Sequence, residues 1–183
     1  MRAPSSQWFE DIARVRYDRD KAIRNIPLFP WLAPPLARSV RDVIERWGVV
    51  RHLRAGDPVL GGQSDRVDQV VLVQSGITVR HFGSPYAQQQ NAYAISLPGR
   101  LACGNLNFFT SLPCIGRYYA LVPSTVVAVR QDLLRAMCRK DPEFCITVMR
   151  EFEYIALTDR IGFGATVALP IRDRILAFLL TWH

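Results

Sequence analysis

The chain has 183 residues, 49% of them hydrophobic and 21% charged, a balance that excludes a disordered polypeptide and is enough to bury a real core. The 23 Lys and Arg against 16 Asp and Glu give a formal net charge of +7, which suits a polyanionic partner and equally a solvated basic surface. No run reaches the roughly 20 apolar residues of a membrane-spanning helix, and Met1–Glu10 lacks the apolar stretch of an export signal, so a cytoplasmic protein is expected.

Residues 1–35 read as an N-terminal arm, because aromatics mix with charges and Pro27, Pro30, Pro34 and Pro35 interrupt any regular element. From Leu36 to Trp47 a helical stripe follows, formed by Leu36, Val40, Val43, Ile44 and Trp47 and closed by Gly48. Short strands are predicted next at Val49–Leu53, Pro58–Leu60, Val67–Gln74, Ile77–Phe82 and Asn91–Leu97, with turns at Arg54–Asp57, Gly61–Asp65, Ser75-Gly76 and Pro98-Gly99. Tyr118–Val129 reads as one further strand region kinked at Pro123. Many short strands at close spacing, without a βαβ rhythm, predict a sandwich, barrel or jelly roll.

Helices then return. Gln131–Arg139 is short. Asp141-Pro142 starts a longer one with an acid at the cap and proline in the first turn. Its apolar residues Phe144, Val148, Phe152 and Ile155 predict a homodimer seam, the other reading being that the helix packs back on its own roll. A charge at the seam, Phe152→Asp, is expected to give monomers. Gly162-Phe163-Gly164 is expected to end this helix as a hinge, since glycine absorbs backbone rotation cheaply. Ile171, Ile175, Leu176 and Leu179 form one more helical stripe before His183, which needs a neighbour or a continuing domain to cover it.

Cys103, Cys114, Cys138 and Cys145 form no C-x-x-C pair, so free thiols are expected, a redox or iron–sulfur site being the other reading. His52, His81 and His183 are far apart and show no metal-binding spacing, which disfavours a cupin-type metal enzyme. His81 or Cys103 could serve a haem, but nothing selects them. No G-x-S-x-G or G-x-x-x-x-G-K motif occurs, so no enzymatic activity is expected.

Taken in order, these segments resemble the Crp/Fnr superfamily of transcription regulators, over roughly residues 36–183. The resemblance is carried by Leu53–Leu60, a leucine–x–x–glycine–acid turn leading into a strand, and by Val67–Val79, a strand ending in serine–glycine before its alternating partner. Ala120–Val129 resembles the family's last roll strand, Arg130–Met137 its short helix, Asp141–Phe144 the start of its dimer helix and Ile171–Leu176 the opening of its winged helix. The resemblance implies an α+β, mainly β fold: an antiparallel double-stranded β-helix (jelly roll) at 36–139 flanked by helices, a dimerisation helix and hinge at 140–164, and an incomplete winged-helix DNA-binding domain at 165–183. It implies a homodimer, DNA as partner if the chain continues past His183, and a small-molecule effector of unspecified identity. The alternative is a stand-alone protein-interaction module without DNA binding.

Family members that bind a cyclic nucleotide carry a glycine–glutamate pair and then an arginine followed by serine or threonine. The matching stretch here begins at Pro98 and places Gly104, Asn105 and Leu106 at the first motif; counting back from Val129 puts Cys114 and Ile115 at the second, or Arg117 in a shorter register. An apolar Cys-Ile pair cannot neutralise a phosphate. No cofactor is therefore expected, and cyclic AMP least of all; a pocket filled by Phe108, Phe109 and other side chains is the simplest alternative.

Overall fold

The computed structural model describes residues 32, 35–60, 68–82, 91–103, 107–110 and 117–180, with the backbone alone described at 81, 82, 91–93, 178 and 180. Most of the arm, the turn at Gly61–Asp65, and His183 lie outside the described residues. The end of the arm runs along the roll, with Leu32 bridged to Ile95 and Pro35 to Arg100.

Helix α1 (Arg38–Trp47) buries Val40 and Ile44. Trp47, expected on the same stripe, is instead 56% exposed. The chain then turns at once into β1 (Val49–Leu53). Gly48 makes this possible in an extended conformation, because a side chain there would meet Val127 and lie 2.5 Å from the Ile44 carbonyl. The strands β2 (Pro58–Leu60), β3 (Gln69–Ser75), β4 (Thr78–Phe82), β5 (Asn91–Ser96), β6 (Leu101–Cys103), β7 (Arg117–Ala120) and β8 (Ser124–Arg130) follow. They form two four-stranded antiparallel sheets, β1-β8-β3-β6 and β2-β7-β4-β5. This is the predicted jelly roll.

Two local features depart from the expectation. The Tyr118–Val129 region is not one kinked strand, since β7 and β8 lie in different sheets and residues 121–123 carry the chain between them. Strand β6, inside the stretch matched to the nucleotide cassette, was not expected as a strand; the Ser96 hydroxyl fastens its first residue by donating to the Leu101 carbonyl at 2.7 Å. The β3–β4 turn is as predicted. Gly76 sits at φ 84°, where a Cβ would collide with the Ser124 hydroxyl and lie 2.6 Å from the Pro123 carbonyl, so glycine is needed on two counts.

Strand β3 explains its own valine-rich composition. Val71 and Val73 pack between the sheets with Val59, Tyr118, Val126 and Cys103. Val70 and Leu72 face the other way and, with Val127 and Val129 of β8, join the residues of the helices. A strand buried on both faces reads as a continuous apolar run, and each fully buried Val or Leu contributes on the order of 2 kcal/mol.

Helix α2 (Gln131–Lys140) leads into α3 (Pro142–Ala168), whose Asp141 cap accepts from the Phe144 N–H at 3.1 Å as its sequence suggests. The expected hinge at Gly162 and Gly164 is corrected: α3 runs unbroken through both to Ala168, and the Thr166 hydroxyl donates to the Gly162 carbonyl at 2.8 Å. A glycine inside a helix costs about 1 kcal/mol relative to alanine, too little to end one. The break comes at Leu169-Pro170. Leu169 is extended (ψ 142°), as a residue before proline must be, and α4 (Ile171–Leu180) begins after it.

Candidate functional site at the junction of roll and long helix

The helix α3 lies against its own roll. Phe144, Val148, Phe152 and Ile155, predicted as a dimer seam, are 9%, 0%, 8% and 4% exposed within the single chain and belong to the core with Val70, Leu72, Val127 and Val129. That assignment is corrected, because side chains already sealed in their own core have no surface to offer a second copy. Phe108 joins them, its ring edge-on to Phe152 with centroids 5.0 Å apart. The residue is held from outside by Arg135, whose Nε donates to the Phe108 carbonyl at 2.6 Å. The side of α3 that remains exposed carries Ile146, Met149, Leu157, Phe163 and Val167.

Two polar contacts fix how α3 sits. Glu151 accepts from the Ala37 N–H at 3.0 Å, which supplies a cap to the start of α1, where Ala37 itself has no side-chain acceptor. Burial pushes its carboxyl above the usual carboxylate range, and the Ala37 N–H pulls it partly back. The second contact is an ion pair between Arg80 of β4 and Asp159 of α3, at 2.6 Å, with side chains 6% and 16% exposed. It joins the sheet remote from α3 to the helix.

This pair borders a small cavity between the roll and the long helix. A cavity of about 10 Å³ is lined by Arg80, Ala94, Ser96, Leu101 and Ala102 of the roll and by Ile155 and Asp159 of α3. Leu101 and Ala102 belong to the stretch matched to the nucleotide cassette. Space on this scale is at most that of one water, against ~300 Å³ at the small end of ligand sites. Phe108 packs on the helix side and Phe109 is exposed. Gly104, Asn105, Leu106, Cys114 and Ile115 lie outside the described residues; Arg117 opens β7, is exposed and does not line this cavity.

Cys138 and Cys145 are free thiols, and burial, with Cys145 alongside, pushes the Cys138 thiol up to about 11. Among the described residues no three His, Cys, Asp or Glu gather as a metal site, and no helix is long and apolar enough to cross a membrane.

Arg80 and Asp159 generate a direct test. Removing one partner strands the other in a largely buried site, so Arg80→Met alone is expected to cost about 3 kcal/mol of stability. The double variant Arg80→Met/Asp159→Leu should recover most of that loss, as read by urea denaturation. Additive losses would show that the pair does not join roll to helix.

No protein-family model and no curated protein matches the chain. Solved structures do. FixK2 from Bradyrhizobium japonicum superposes with a TM-score of 0.64 at 14% identity, covering 73% of this chain and 64% of that one. The Catabolite Activator Protein of Thermus thermophilus gives 0.55 at 20% identity, covering 72% and 58%. The N-terminal domain of a transcriptional regulator from Streptomyces coelicolor gives 0.52 at 21% identity, covering 75% and 91%. The chain thus spans less than two thirds of the FixK2 and Thermus proteins. At these identities the likeness is one of fold, and the fold is the cyclic-nucleotide-binding type of β-roll, with its trailing helices, found in Crp/Fnr regulators.

Proposed function

We propose that this chain is the sensor and dimerisation portion of a homodimeric Crp/Fnr-type transcription regulator that does not take cyclic AMP as its ligand. The observation that carries the reading is the two-sidedness of α3. One side is sealed on the roll. The other exposes Ile146, Met149, Phe163 and Val167, with Leu157 beside them. Positions 146, 149, 153, 156, 160, 163 and 167 follow the alternating three-and-four spacing of a coiled-coil seam. Glu153 and Arg160 fall in that row, and polar seam positions select register at a cost in stability. A second copy of the same helix is the natural cover.

DNA is the proposed partner of the regulator, with α4 as the opening helix of the domain that reads it; α4 exposes Ile171, Ile175, Leu176 and Leu179, which such a domain would bury. The regulatory character of the structural neighbours supports this reading over an enzymatic one. A cytoplasmic location goes with it. The rejection of cyclic AMP rests on Asn105 and Cys114 at the positions matched to the cassette.

In sedimentation, the chain is expected to be a dimer and Met149→Asp/Phe163→Asp a folded monomer. Phe152→Asp should unfold the roll, because it places a charge in the chain's own core. A double variant that stays dimeric would contradict the reading. Cyclic AMP at millimolar concentration is expected to leave the melting temperature unchanged, and a rise of several degrees would overturn that part.

A further inference from the structure

The described surface has a large concavity distinct from the cavity at Arg80. A groove of about 910 Å³ opens at the end of the roll where β1 begins and β8 ends, and α2 forms one wall. Its volume is that of a site for a small organic molecule. Its lining is of two kinds. Trp47 and Val49, 56% and 68% exposed, stand with Leu60, Ala128, Leu133 and Ala136 as apolar wall and floor. Arg51, Arg130 and Arg139 bring three guanidiniums to the same space, against the single carboxylate of Asp132.

The charges are not equivalent. Arg130 and Asp132 pair with each other, the Arg130 Nε donating to Asp132 Oδ1 at 3.0 Å, and so cancel. Arg51 is half-buried and pinned across the roll, its Nη1 donating to the Val59 carbonyl at 2.7 Å. A guanidinium already held in place and partly withdrawn from water loses little freedom on meeting an anion. Arg139, at the rim, makes no ion pair among the described residues. The groove therefore offers two positive charges beside an exposed indole and an aliphatic floor.

From this lining we infer that the groove binds an amphipathic organic anion, with a flat apolar body against Trp47 and Val49 and an acidic head between Arg51 and Arg139. Such a ligand would also bear on α2. Leu133 and Ala136 of that helix face the groove, while Leu134 packs in the core shared with α3, and Met137 and Cys138 lie against it. Occupancy of the groove thus presses on the element that backs the long helix. The site shares no residue with the cavity at Arg80 and stands whether or not the chain dimerises.

The test uses anilinonaphthalene sulfonate, a fluorescent flat anion, and phenylnaphthylamine, the same ring system without the sulfonate, each titrated against the full chain. The sulfonate is expected to bind at least about tenfold more tightly than the neutral dye, one charge-assisted contact being worth roughly that factor. Arg139→Glu should weaken the sulfonate by about tenfold and leave the neutral dye unaffected. Ala136→Trp should displace both by filling the floor. Arg139 is exposed, so its variant remains informative if Ala136→Trp does not fold. Equal affinities for the two dyes, or sulfonate binding that Arg139→Glu leaves unchanged, would overturn the assignment.

Discussion

Everything else in this molecule depends on covering the outer face of one sheet. Val70 and Leu72 of β3 and Val127 and Val129 of β8 point away from the roll's interior, and α1, α2 and α3 close over them with Ile44, Leu134, Val148 and Phe152. Without the helices this row would be wet. Without the row, the helices would have nothing to pack on. Roll and helices are therefore parts of one core, and α3 cannot lift away from the sheet without exposing both.

That constraint shapes what α3 can transmit. The helix is held at its start by the Asp141 cap, next by Glu151 on the N-terminus of α1, and further along by the Arg80–Asp159 pair to the opposite sheet. Gly162 is still buried, and beyond it Phe163 and Val167 are exposed. The part of α3 that is free to respond is thus its far end and its outward side. In the proposed regulator, signals act by shifting how two such helices meet, while each stays fixed to its own roll. The groove beside α2 is well placed for this, since α2 packs between the roll and the base of α3.

The roll was legible in the sequence because its turns are chemically marked. Gly56, Gly76 and Gly99 all take positive φ, and each marks a strand boundary in the sequence. The start of α3 was legible from Asp141-Pro142 for the same reason. The side of α3 that meets the roll was not. Apolar residues occur nearly all round it, and periodicity cannot distinguish a face for its own core from a face for a partner. Gly162 and Gly164 misled because glycine weakens a helix without stopping it, whereas Pro170 stops it outright by lacking an N–H. In Tyr118–Val129, Pro123-Ser124-Thr125 reads as a kink in one strand, and this concealed a crossing between sheets. Arg80 gave no signal: in an alternating strand it reads as a solvent-facing charge, and its partner Asp159 is remote in sequence. Trp47 fitted the stripe of α1 by spacing, but α1 turns it to the groove, where it lies on the lining.

Native-state hydrogen exchange tests the central claim most directly. If α3 is part of the roll's core, the amides of residues 148–155 should open with the same free energy as those of residues 70–73, within about 1 kcal/mol, because neither can be exposed without the other. Exchange of the α3 amides at a much lower opening free energy, with β3 still protected, would mean that the helix detaches while the roll stays folded, and would contradict the account.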